Sequence, residues 1–280
     1  MYLFESTKIV ENIMSKIHIS DFKDKKINMH THTARCQHAK GEDREYVECA
    51  IEAGYEVLGF SDHAPYLFEK DYISPIRMPM QELEGYVDSI YALKKEYECD
   101  IKIYCGLEME YFPQYFDRTI EELDKYPIEY FILGQHFYTQ EDGWNSLKKA
   151  QADEAHLQLY VDRVMTGLKM DKFFYVAHPD IMCFVGENET YRKHMMPLIR
   201  ELKDRGMPIE INMNGFRAGL HYPTPAFIEL GVENGNDFII GVDAHSPEKL
   251  LELEMYQQCK QLVLKYGGNI INCLNAKEER

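Results

Sequence analysis

Seven of the eleven histidines in this 280-residue chain stand at or just beyond the ends of short apolar runs, in company with acidic residues. His30-Thr31-His32 follows the first run, with His38 a few residues on. Ser61-Asp62-His63 closes the second, and Glu108 and Glu110 follow the third. Gln135-His136 ends the fourth, His178-Pro179-Asp180 the fifth, and Asp243-Ala244-His245 the last; the sixth carries Glu210 and ends in Asn212 and Asn214. Imidazole nitrogens with carboxylate oxygens suit zinc, iron or manganese. Taken singly, each piece has a plainer reading. A HxH pair is more often an accident, a lone histidine after an apolar run is more often hydrogen-bonded in a loop, and a lone Asp or Glu caps a helix. The recurrence at equivalent places selects the metal reading. His30, His32, His38, His63, Glu108, His136, His178, Asp243 and His245 exceed the roughly four to six donors one ion takes. Two or three divalent ions are therefore expected, and Glu108 is the expected bridging carboxylate.

The strand candidates are 26–29, 57–60, 101–106, 130–133, 173–177, 209–212 and 238–242, several of them almost wholly apolar, as parallel strands covered on both faces should be. Helix-periodic spans alternate with them at 42–53, 80–97, 116–125, 154–170, 191–204, 224–233 and 247–265. Thr224-Pro225 and Ser246-Pro247 look like N-caps followed by proline. Gly54, Gly206, Gly231 and Gly267 fall where helices should stop. Strand–helix units without a Ser/Gly-rich linker predict one α/β barrel of about seven units over 26–280, preceded by a helix or arm over 1–25. Parallel barrel strands open their C-terminal ends on one face, so the ligands should meet in one cup.

The formal charge of −16 disfavours nucleic acid and membrane surfaces as partners, because phosphate would be repelled over most of the exterior. A small anionic substrate stays compatible if bound cations invert the local potential. The chain shows no 18-residue apolar stretch and no signal pattern, which predicts a cytoplasmic protein. Seven scattered cysteines without a CxxC read as reduced thiols. Cys36, among the histidines, is the one candidate for metal contact.

His30-Thr-His32 with His38, Ser-Asp62-His63, Gly-Leu-Glu108, Gly-Gln-His136, His178-Pro-Asp and Asp243-Ala-His245 occur in the order of the motifs of the PHP (polymerase and histidinol phosphatase) superfamily, which the chain resembles from about residue 26 to 265. Cys36-Gln-His38, Phe60-Ser-Asp-His-Ala-Pro65, Arg77-Met78, Glu210-Ile-Asn-Met-Asn-Gly-Phe-Arg217 and Tyr222-Pro223 resemble its histidinol-phosphatase branch. The resemblance implies a distorted (βα)7 TIM-like barrel with a trinuclear centre. His30, His32, Glu108 and Asp243 would hold one ion; Glu108, His136 and His178 a second; His38, His63 and His245 a third. It implies hydrolysis of L-histidinol phosphate, in histidine biosynthesis, by a metal-activated hydroxide. Arg217 is the expected fork for the phosphate, with Arg77, Arg35 and His221 as further substrate candidates. Asp62 is a candidate proton donor to the leaving alkoxide, or else a residue orienting a ligand. Glu110, Asp180 and Glu210 are acids that could face the substrate's amine and imidazole. The alternatives are a related phosphoesterase for another ester and a non-catalytic metal-binding scaffold; oligomeric state is left open.

Overall fold

The structure is a computed structural model that describes residues 25–69, 72–139, 141 and 146–271, together with Ile17 and Phe22. Eight strands form one sheet in chain order, every neighbouring pair parallel. They are β1 (Ile27–Asn28), β2 (Val57–His63), β3 (Lys102–Met109), β4 (Tyr130–Leu133), β5 (Phe173–Val176), β6 (Ile209–Asn212), β7 (Asp237–Gly241) and β8 (Asn269–Ile270). The helices between them are α1 (Asp43–Glu52), α2 (Leu83–Glu96), α3 (Phe116–Leu123), α4 (Glu154–Leu168), α5 (Asn188–Asp204), α6 (Met213–Arg217), α7 (Pro225–Glu233) and α8 (Leu253–Lys265). All seven expected strands are present, and β8 and the short α6 are additional. The expected arm over 1–25 lies outside the described residues except at Ile17, Phe22 and Lys25; Phe22 is buried against Tyr104 and Phe174.

Two apolar regions follow from strand alternation. Outward residues such as Leu58, Phe60, Leu107, Ile211 and Ile240 pack under the helices. Inward residues Met29, Val57, Tyr104, Tyr130, Ile132, Tyr175, Ala177 and Ile239 fill the interior. Tyr130 spans this plug, its hydroxyl facing the carbonyls of Met29 and Phe60 at 3.1 and 3.0 Å. Its ring fits because Gly59 and Gly106 carry no Cβ where it crosses them.

Closure is irregular, as the distorted barrel predicts. β8 pairs with β7 at its beginning, whereas the far end of β7 meets the chain after β1 through the Thr31–Ala244 bridge. There His32 N donates to Ala244 O at 2.9 Å, and Val242 N donates to Asn28 Oδ1 at 2.9 Å. Asn28 thus supplies with a side chain what a longer β1 would supply with backbone.

Helix ends follow their residues with two exceptions. Thr224 caps α7 through Phe227 N at 3.3 Å with Pro225 in the first turn, and Gly54, Gly206 and Gly267 sit at positive φ after α1, α5 and α8. Gly231, expected as a stop, lies inside α7. It is needed for packing, since a Cβ there would meet Ile209 Cδ1 at 2.6 Å, and the positive φ falls at Gly235 instead. Ser246 precedes a 3-10 turn (Pro247–Leu251) but makes no side-chain cap bond.

Candidate metal centre

Above the plug, inward positions change from apolar to ligand-bearing. His63 pairs in register with Glu108 on neighbouring β2 and β3, and both point inward. Glu108 is the hub. Its Oε1 lies 3.0 Å from His178 Nε2 and 3.6 Å from both His136 Nε2 and His30 Nε2; its Oε2 lies 3.1 Å from His63 Nδ1 and 3.5 Å from His32 Nε2. Asp243 Oδ1 stands 3.2 Å from His32 Nε2, 3.6 Å from His30 Nε2 and 3.3 Å from His245 Nδ1. At the rim, His245 Nε2 and His38 Nε2 are 3.0 Å apart, with His63 beside them. All nine sequence-expected ligands therefore converge although more than 200 residues separate the first from the last.

Glycine makes room for this. A Cβ at Gly134 would run into the Glu108 carboxylate, and one at Gly241 into the Glu210 carboxylate. Two ligands sit at positive φ, His178 at 32° and Asp243 at 50°. Such backbone costs about 1–3 kcal/mol per residue and concentrates where side-chain aim matters more than ease.

The donors suit cations. His30 Nε2, His63 Nδ1, Glu108 Oε2 and Asp243 Oδ1 are buried, face one another and have no hydrogen-bond partner. Leaving such groups unsatisfied costs about 1–3 kcal/mol each. The carboxylates are also held ionised. Burial alone would raise Glu108, but the imidazoles of His136, His30 and His63 keep it well below the usual carboxylate range. Burial likewise opposes ionisation of Asp243, and His30 and His245 outweigh it. Groups of three donors recur around the cup: His30, His32 and Glu108; His30, His178 and Asp243; His63, Glu108 and His136; His38, His63 and His245; and His32, Cys36 and His245. Cys36 is buried, and burial first, then Asp62, pushes its thiol up while no cation is bound.

The PHP domain family matches residues 28–214, two thirds of the sequence. The chain belongs to the PHP family. It is 32% identical to the histidinol-phosphatase of Bacillus subtilis, over 77% of this chain and 92% of that one. A protein of Deinococcus radiodurans named as a probable histidinol-phosphatase is 28% identical over 78% of this chain and 85% of its own. Among solved structures, the histidinol phosphate phosphatase of Lactococcus lactis, complexed with zinc, L-histidinol and phosphate, superposes with a TM-score of 0.68 at 20% identity, covering 88% of this chain and 95% of that one. At that identity the likeness is one of fold.

Around the candidate ligands, two of the acids expected near substrate stand behind imidazoles instead, and the third holds the entry to a helix. Glu210 is fully buried: its Oε1 meets His30 Nδ1 at 2.8 Å and its Oε2 accepts from His178 N at 2.7 Å and Asn212 Nδ2 at 3.1 Å. Glu110 Oε1 meets His136 Nδ1 at 2.8 Å. Asp180 accepts from Thr224 N at 2.5 Å and is spent on the entry to α7; burial raises it to about 6 despite that bond. Asp62 faces outward from β2, accepting from the Thr33 hydroxyl and, at 2.8 Å, from His63 N, with His32 Nδ1 3.6 Å away. That placement suits orientation of a ligand and does not bring a proton donor to the mouth. Asn212 and Asn214 donate to Asp243 Oδ2 at 3.1 and 3.3 Å, leaving Oδ1 aimed into the cup.

The residues expected at the substrate are all engaged elsewhere to some degree. Arg217 Nε donates to Glu252 at 2.5 Å and Nη1 to Asn214 Oδ1 at 3.2 Å, while Nη2 has no partner. Arg77 is buried between Glu110 and Glu141, behind His136. Arg35 pairs with Asp43 at 2.8 Å. His221 turns its Nε2 to Ile181 O at 2.6 Å, away from the ligands. The residue that sequence reasoning missed outright is Glu141, a loop carboxylate with no motif around it. The i+2 spacing of Glu110 from Glu108 carries it past the end of β3 toward the same face, without showing whether it meets a substrate or an imidazole.

Proposed function

We propose that this protein is a metal-dependent phosphatase that hydrolyses L-histidinol phosphate to L-histidinol and phosphate. The observation that carries the reading is the gathering of five imidazoles within 3.6 Å of one buried carboxylate, Glu108, at the mouth of a PHP barrel. The 32% identity to a histidinol-phosphatase over most of both chains supports that substrate among phosphate esters. His30, His32, Glu108 and Asp243 would hold one ion; Glu108, His136 and His178 a second; and His38, His63 and His245 a third. Divalent ions there supply Lewis acidity, which neutralises phosphoryl oxygens and makes water a nucleophile near pH 7.

The protein's own groups do the rest. Glu210 and Glu110 hold His30 and His136 in one tautomer and raise their basicity. Asn212 and Asn214 set Asp243. Asp62 orients His32 and Thr33. Arg217, with an unpartnered Nη2 and a contact to Asn214, is the guanidinium assigned to the phosphate, for which its planar fork is suited. A formal charge of −16 favours a small ester over a nucleic-acid strand, whose polyanion would meet repulsion outside the cup.

Phosphate release tests this directly. Protein loaded with zinc or manganese should release phosphate from L-histidinol phosphate in preference to other monoesters. Turnover of another ester with none of histidinol phosphate would remove the substrate but keep the metal centre. Fewer than one ion per chain after metal-replete purification would remove the centre itself.

A further inference from the structure

Arg77 is among the largest fully buried side chains, and it lies on the loop after β2. Burying a guanidinium is costly unless it is paired, and here one carboxylate accepts from Nε and a second forms an ion pair with Nη2, while Nη1 has no hydrogen-bond partner. Its Nη2 is 2.6 Å from Glu110 Oε1, and its Nε donates to Glu141 on the loop after β4. Its plane lies over the rings of Tyr66 and Phe112, 5.1 and 5.9 Å from their centroids. Tyr72 and Ser74 also reach Glu141, which joins the two loops. The backbone of the same segment holds the neighbour of another ligand: Gln37 Nε2 donates to Arg77 O at 2.7 Å and Ser74 O at 2.8 Å, and Gln37 directly precedes His38.

One path therefore runs from Arg77 to Glu110 Oε1, to His136 Nδ1, and through His136 Nε2 to Glu108. A second runs from the Arg77 carbonyl through Gln37 to the turn that carries His38. With Glu110 and Glu141 both on its guanidinium, and almost no exposed surface, Arg77 is poorly placed to grip an incoming phosphate.

We propose that Arg77 is a positioning residue for the metal centre: its guanidinium locks Glu110 and thereby His136, and its carbonyl anchors the Gln37–His38 turn. This rests on the reading of His136 and His38 as metal ligands and is independent of which ester is hydrolysed.

The test is zinc affinity by chelator competition, with cobalt substitution for an absorption spectrum, in Arg77→Lys, Glu110→Gln and the double variant. A lysine keeps the charge but cannot fork across two carboxylates. Both single variants should bind one ion about 10–100-fold more weakly, the range for loss of a residue behind a ligand, and should alter the cobalt spectrum. The double variant should be no worse than the weaker single one. Zinc affinities equal to the wild type in R77K, with a raised KM alone, would make Arg77 a substrate contact and overturn the proposal; so would multiplying effects. If circular dichroism shows that R77K does not fold, Glu141→Gln, which removes one anchor of Arg77, is read the same way, and unchanged affinity there overturns it. His136→Ala separates the two levels of inference. Loss of an ion in H136A but not in R77K sinks the role of Arg77, whereas full ion content in H136A sinks the ligand assignment beneath it.

Discussion

The floor and the rim of the cup are built differently. On the floor, His30 and His136 each turn their second nitrogen to a buried carboxylate, Glu210 or Glu110, at 2.8 Å. At the rim, His38 and His245 turn theirs to backbone carbonyls, Cys36 O at 2.8 Å and Asp243 O at 3.1 Å, and the rings are partly open to solvent. A carboxylate behind an imidazole locks the tautomer and makes the nitrogen a stronger donor; a carbonyl locks the tautomer with less charge. The floor also owns both candidate carboxylate donors, Glu108 and Asp243, while the group of His38, His63 and His245 is all imidazole. The centre should therefore hold its ions with graded affinity, tightest around Glu108 and most exchangeable at the rim.

The largest break comes from Glu108→Ala. Five imidazoles lose their common neighbour at once, so more than one ion per chain should be lost by elemental analysis, with kcat falling at least about 10²–10³-fold, the cost of one lost electrostatic group at a reacting centre. Full ion content in that variant would show that Glu108 is no hub. His38→Ala should lose a single ion and leave the floor loaded; equal loss from both regions would abolish the distinction between them. Glu210→Gln is subtler, because the shape is kept while the charge behind His30 and one of the two acceptor oxygens go. It should weaken floor binding about 10–100-fold without touching rim occupancy, and stepwise chelator titration would resolve the two.

How far the sequence foretold this differs between the same two layers. The convergence of the nine candidate ligands was legible because each sits at or near a strand end within an ordered series, from His30 to His245, and barrel topology forces strand ends together. All seven strands were legible for a related reason, several of the runs being almost wholly apolar. What lay behind the ligands was not. Glu110, Asp180 and Glu210 carry the same functional group whether they face a substrate, a helix N-terminus or an imidazole, and only the fold decides between these. Arg77 was read as a weaker phosphate candidate, and Arg217 as a phosphate fork from its planar guanidinium and its place past the sixth strand. Their carboxylate partners, Glu141 and Glu252, lie 64 and 35 positions away, on segments no local pattern links to them. Gly231 misled because a glycine that admits a neighbouring strand looks, in sequence, like one that ends a helix. β8 was missed because two residues are too few to show a period.

The smallest effect tests the floor's charge without mutation. In the ion-free protein burial opposes protonation of His32, but Asp243 and Asp62 outweigh it and raise its pKa to about 9. His30 is raised too, against burial, by Glu210, Asp243 and Glu108. A histidine whose folded pKa exceeds its unfolded value of about 6.5 stabilises the fold fully below that pH and loses the contribution as pH rises through the folded pKa. Apo protein should therefore lose stability, read as a falling Tm, as pH rises from about 6.5 through about 9. Loaded protein should not, because cations then occupy the place of the protons. The same linkage requires that ions entering the floor release protons near neutral pH, which calorimetry in buffers of different ionisation enthalpy would count. Binding without proton release, or an apo Tm flat over that window, would mean that the carboxylates of the floor do not hold His30 and His32 protonated before the ions arrive.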